Sequence, residues 1–146
     1  MSSPNRSVPT EQLTFFQQPQ RQVRPALTFH TNGYPNEKEA SCCWMWKALD
    51  SKKRIVAQKS GKCGGGYGMI VNVAKFHAVI QALSWIAENI PDKSVTVLCD
   101  LNHVVNTVNG KWKAHSSKLL CQTARQYLNR TKATLLWIPH GQNKAA

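Results

Sequence analysis

Residues 95–112, VTVLCDLNHVVNTVNGKW, constrain the fold more than any other stretch of the chain. Val95, Val97 and Cys99 alternate with Thr96 and Leu98, and the β-branched content suits a buried strand. A short amphipathic segment follows and closes at Asn109-Gly110. Asp100 falls where the strand must end, and open α/β sheets place their chemistry at the carboxyl ends of strands. A buried strand feeding a helix needs other strands beside it and helices over it. The remaining residues must supply both.

They do so in a definite order. Residues 26–31 (ALTFHT) alternate as a first strand, and Asn32-Gly33 with Pro35-Asn36 signal a turn after it. Residues 41–49 (SCCWMWKAL) read as a second strand with Trp44 and Trp46 on one face, residues 50–54 as a charged turn, and residues 55–58 as a third strand. These three form an antiparallel meander. Residues 61–68 (GKCGGGYG) have the composition of a flexible linker and lack the GxxxxGK[ST] of a nucleotide-binding P-loop. Over 73–89 the period changes: Phe76, Val79, Ile80, Leu83, Ile86 and Ala87 recur at helical spacing, and Pro91 ends the helix. After the central strand and the short helix 101–108, Ser116 caps a helix carrying Leu119, Leu120, Ala124, Tyr127 and Leu128. Residues 133–138 (ATLLWI) make the last strand. The predicted fold class is α/β, a mixed five-stranded sheet with elements in the order β-β-β-α-β-α-α-β.

Composition limits the partners. The 146 residues hold 19 Lys and Arg against 7 Asp and Glu, a net charge of +12. That excess points to a polyanion, nucleic acid first, or to an anionic membrane surface. No apolar run approaches the ~18 residues of a membrane-spanning helix. The five cysteines follow no zinc spacing, Cys42 and Cys43 are adjacent, and reduced thiols in an intracellular compartment are expected. Residues 1–26 carry Pro4, Pro9, Pro19 and Pro25 and no hydrophobic period, so they read as an extended or disordered basic tail ahead of one domain at 27–146. Their scarcity of acids leaves an organelle transit peptide open, although Pro and Gln weaken it.

The order of elements, with an acid at the tip of the fourth strand, resembles the ribonuclease H superfamily, in its type-1 and reverse-transcriptase-like branch. Four pieces carry the likeness: Thr31-Asn32-Gly33; Asn72-Val73-Ala74-Lys75-Phe76 opening the long helix; Val97-Leu98-Cys99-Asp100 with Val104-Val105 and Asn109-Gly110-Lys111-Trp112; and Trp137-Ile138-Pro139-His140 with Asn143. The resemblance implies an active site of four carboxylates around two Mg²⁺ ions that cut an RNA strand. Mapped onto this chain, the first-strand Asp corresponds to Asn32, the helix Glu to Lys75, the fourth-strand Asp to Asp100, and the last Asp would follow Ala145-Ala146, where the sequence stops.

The mapping implies a charge reversal. An intact site brings about four negative charges to two divalent ions. Here Asp100 contributes one negative charge and Lys75 one positive, so no catalytic residue, metal or cofactor is expected. The sharper expectation is that the Lys75 ammonium occupies the metal region and lies within about 6 Å of the Asp100 carboxylate, since a buried acid needs a counter-charge. A transition-metal site built from His30, His77, Asp100 and His140 is disfavoured, because His77 points about 200° round the helix from Lys75; polar, partly exposed histidines are the simpler reading. Trp44, Trp46, Trp85 and Trp137 are expected in the core.

Basic residues cluster. Lys52, Lys53, Arg54, Lys59 and Lys62 fall in one stretch, and Lys111, Lys113, Lys118, Arg125, Arg130 and Lys132 in an acid-free second. Trp112, between two lysines, suits stacking on a base, and His140 suits a phosphate contact. Together they predict binding of RNA backbone and shape. The function expected is therefore an inactive ribonuclease-H-like domain that binds RNA, with neighbouring proteins, in a ribonucleoprotein such as a mitochondrial ribosome. Plastid, cytosol and nucleus are the other settings. The alternatives are a ribonuclease H-type endonuclease with a divergent or truncated metal site and a protein-interaction module with an acidic partner.

Overall fold

The computed structural model describes residues 26–39, 41–63 and 71–146, so the expected tail and any transit peptide lie outside the described residues, except at Ala26. One mixed sheet organises the chain. Strand β1 (Thr28–Asn36) pairs antiparallel with β2 (Ser41–Leu49), and β2 pairs antiparallel with β3 (Ile55–Lys62). Strands β4 (Ser94–Cys99) and β5 (Lys132–Trp137) add in parallel on the other side of β1, giving the order β3-β2-β1-β4-β5. The helices are α1 (Val71–Asn89), α2 (Asn102–Val108) and α3 (Lys118–Asn129). The element order is the expected one. No helix among the described residues is long and apolar enough to cross a membrane.

The core lies between the sheet and α1. Phe29 of β1, Trp46 of β2 and Trp85 of α1 form an aromatic triangle with ring centroids 5.2–5.9 Å apart. Phe76, Val79, Leu83 and Ile86 bury the apolar stripe of α1 beside Val97, Cys99 and Leu135. Burying one such side chain contributes about 1.5–3 kcal/mol. Leu119, in contrast, stands 75% exposed in the first turn of α3, and Trp137, expected in the core, is 47% exposed because β5 is an edge strand.

Two strand boundaries and a cysteine pairing differ from the sequence expectation. Strand β1 does not turn at Asn32-Gly33: it runs on, with Asn32 opposite Met45 and Gly33 opposite Trp44. Glycine is needed there for close approach, since a Cβ on Gly33 would lie 2.2 Å from the Ala74 carbonyl carbon and 2.6 Å from the Lys75 nitrogen. Strand β3 extends to Lys62, so Gly61 and Lys62 belong to the sheet; residues 64–68 of the expected linker lie outside the described residues. Finally, Cys42 and Cys63 end the β2–β3 ladder as a disulfide, which corrects the expectation of five reduced thiols; Cys43, Cys99 and Cys121 are free.

Candidate functional site

Close packing of α1 on β1 determines what reaches Asp100. The Gly33 contact holds the first turns of α1 against the carboxyl end of β1, so Lys75 projects between the tips of β1 and β4. Its Nζ lies 2.7 Å from Asp100 Oδ1 and donates at 2.7 Å to Asn32 Oδ1. The expected ion pair is therefore present. The Asp100 side chain is only 2% exposed, so the ammonium is also its compensation for lost hydration.

The segment after β5 closes the far side of the carboxylate. Asn143 Nδ2 donates to Asp100 Oδ2 at 3.0 Å and to the Thr31 carbonyl at 2.9 Å. Asn143 Oδ1 accepts from the Ala145 N–H, and Asn32 Nδ2 donates to the Ala145 carbonyl. His140 Nδ1 lies 2.7 Å from Asp100 Oδ2, while its ring is 70% exposed. Burial alone would push the Asp100 carboxyl up. Hydrogen bonds from Lys75, Asn143 and His140, with the Lys75 charge, outweigh it and hold the carboxyl below the ordinary range. The neighbouring Cys99 thiol is pushed up to about 11, mainly by burial, and is no nucleophile at neutral pH.

These residues do not fit a Mg²⁺ pair. The region between the strand tips is filled by an ammonium bonded to both oxygens that would face an ion, and Asn32 offers a neutral amide in place of a carboxylate. Nor do the histidines assemble a metal site: no cluster of three His, Cys, Asp or Glu residues occurs among the described residues. His30 corrects the expectation of partly exposed histidines, since it is buried and its Nδ1 accepts from the Lys144 N–H at 3.1 Å.

The expected RNA-binding residues fall into separate groups. Trp112, Lys113, Lys118 and Arg125 line one groove of about 580 Å³ between α2 and α3. Trp112 is 49% exposed, with one side near the His103 ring at 6.4 Å between centroids. Lys111 is exposed beside it. Lys52, Lys53 and Arg54 occupy the β2–β3 turn, and Lys59 and Lys62 lie on β3, at the sheet edge opposite Lys132 of β5. Several of these cations already have partners. Arg54 pairs with Asp50, Lys62 with Glu39, and Arg130 stacks over Tyr127. Arg125 donates from Nη2 to the Thr107 carbonyl and from Nε, at 3.2 Å, to the Val108 carbonyl, which caps the C-terminus of α2. Arg125 is first a structural residue. Lys52, Lys53, Lys59, Lys111, Lys113, Lys118 and Lys132 form no ion pair with another described residue.

A family profile described as reverse transcriptase-like matches residues 46–146. The chain belongs to this reverse-transcriptase-like family of the ribonuclease H superfamily. Solved structures agree with the fold. The N-terminal RNase H domain of a Mycobacterium tuberculosis protein, solved as a fusion with maltose-binding protein, superposes with a TM-score of 0.69 at 18% identity, covering 84% of this chain and 88% of that one. RNase H1 from Halobacterium salinarum gives 0.69 at 19% identity, covering 83% and 91%. LC11-RNase H1, solved in complex with an RNA/DNA hybrid, gives 0.67 at 19% identity, covering 82% and 90%. No curated protein matches by sequence. Within this RNase H-like fold, Asn143 belonged to the family likeness, but nothing in the sequence showed that it would bridge Asp100 to the Thr31 carbonyl of β1.

Proposed function

We propose that this RNase H-like domain is non-catalytic and binds RNA through its basic surfaces, as a structural component of a ribonucleoprotein. The observation that carries this reading is the Lys75 ammonium, 2.7 Å from both Asp100 Oδ1 and Asn32 Oδ1. A divalent ion between those oxygens would have to displace a bonded cation and would then meet one carboxylate. The charge of +12 and the unpaired lysines beside exposed Trp112 support polyanion binding. A structure of one RNase H1 relative with an RNA/DNA hybrid makes RNA-containing duplexes the first substrates to test.

The experiment has two arms on the purified chain. Binding to RNA and to RNA/DNA hybrid is expected without cleavage in Mg²⁺ or Mn²⁺. Hybrid cleavage that disappears with Asp100→Asn would overturn the inactive reading. A mitochondrial ribosome is the setting we propose, and co-sedimentation with mitochondrial ribosomal particles after a high-salt wash tests it; recovery only in the soluble fraction would reject it. The Cys42–Cys63 disulfide weighs against a strongly reducing compartment, so sedimentation decides this part and the cysteines do not.

A further inference from the structure

Among the described residues the helices pack on one face of the sheet, and a cavity of about 460 Å³ lies on the other. Thr28 and His30 of β1 line it with Leu98, the register partner of His30 on β4, while Phe29, between Thr28 and His30, points to the opposite face and packs on Trp85 of α1. Leu49, Leu98 and Ile138 supply the large apolar side chains of its lining. Lys53 of the β2–β3 turn and Lys144 of the C-terminal segment face it from different elements. Neither lysine forms an ion pair with another described residue. The acid on the wall, Asp50, is turned into its own loop: Oδ1 accepts from the Lys52 and Arg54 N–H groups at 2.9 Å, and Oδ2 pairs with the Arg54 guanidinium at 2.8 Å.

A further detail shows that the cations act on this space. The buried His30 ring is held below its ordinary pKa by burial and then by the Lys144 and Lys53 charges, so both ammoniums lie within electrostatic reach of the wall. Lys53 also occupies the left-handed region at φ 64°, where glycine or asparagine would be less strained.

We infer that this cavity binds a phosphate-bearing nucleotide unit, with the phosphate between Lys53 and Lys144 and the base or ribose against Leu49, Leu98 and Ile138. Its size falls within the range of small-ligand sites, about 300–1,000 Å³. The cavity shares no lining residue with the Lys75–Asp100 pair or with the Trp112 groove, although Gly141, Gln142 and Lys144 belong to the same segment as His140 and Asn143. It does not rest on the RNA reading. The nucleotide is either free or a residue of an RNA strand.

Amide chemical shifts of the isotope-labelled full chain, titrated separately with AMP, adenosine, inorganic phosphate and a ten-nucleotide RNA, test the inference. AMP is expected to shift the amides of Ser51, Lys53, Leu98, Gly141 and Lys144, with adenosine and phosphate each at least tenfold weaker. Lys53→Gly and Lys144→Gln are each expected to weaken AMP at least tenfold. The thermal midpoint of Lys53→Gly should be unchanged or higher, which separates lost binding from lost folding. AMP shifts confined to Trp112 and Lys118, or unaffected by both variants, would overturn the inference. RNA binding that spares this cavity while AMP occupies it assigns the site to a free nucleotide, whereas absence of RNA binding defeats the RNA reading alone.

Discussion

Replacing Lys75 by Met would leave a carboxylate whose side chain is 2% exposed without its full positive charge, facing only amides and an imidazole. Removing one partner of a buried pair costs about 3–5 kcal/mol, and denaturant unfolding of Lys75→Met should show a loss of that order. The pH dependence has a definite sign. Because the Asp100 carboxyl is held below its unfolded value, its contribution is present above about pH 4 and is lost as pH falls through the folded value. His30 behaves in the same sense for a different reason: its folded pKa is below 6.5, so the unfolded chain takes up the proton first and stability falls as pH drops below about 6.5. Unfolding at pH 5.5 and 7.5 should show the lower stability at 5.5, and His30→Gln should narrow the difference. The Lys75–Asp100 pairing was legible from residue types at family positions. The His30 environment was not, because burial from the C-terminal segment is a tertiary property.

At the scale of elements, the close approach of β1 and α1 does most to place the site. A Cβ on Gly33 would meet backbone atoms of Ala74 and Lys75, which cannot swing aside like a side chain. Gly33→Ala should therefore cost more than the ~1–3 kcal/mol typical of overpacking, and the variant should expose Asp100 to solvent, seen as broadened amides around residues 98–101. The sequence showed Gly33 but misassigned its purpose, because Asn-Gly signals a turn wherever no other chain segment is in view. Strand β2 was legible to the residue, since alternation there is bounded by polar turns on both sides. Arg125 shows the converse limit: a helical arginine in an acid-free stretch looks like a phosphate ligand until the carbonyls of Thr107 and Val108 are seen beneath it. Arg125→Met should lower stability by about 1–3 kcal/mol, the usual value of hydrogen bonds to a charged group, with little change in RNA affinity. The Cys42–Cys63 bond was hidden by the same problem of register, because it requires β3 to run to Lys62.

For the whole molecule, charge and chemistry have separated. The basic groups lie on the β3 side of the sheet, on the α2–α3 groove and, at Lys132, on the opposite edge strand β5, while the pair at the strand tips is locally neutral. If several phosphates are contacted, RNA affinity should fall steeply and log-linearly with salt, and Lys111→Glu with Lys113→Glu should weaken binding at least tenfold and flatten that slope. Flat salt dependence in the unaltered chain would favour an acidic protein partner instead. The buried strand of residues 95–99 still sets the architecture, and Asp100 at its tip now reads as the buried half of an ion pair.

If Lys75 excludes a divalent ion from the tips of β1 and β4, paramagnetic Mn²⁺ should find no site there. Titrating Mn²⁺ into the isotope-labelled full chain at neutral pH should leave the amides of Asn32, Lys75, Asp100 and Asn143 sharp at concentrations that saturate a two-carboxylate site. Selective broadening of those four amides, reversed by Asp100→Asn, would contradict the account.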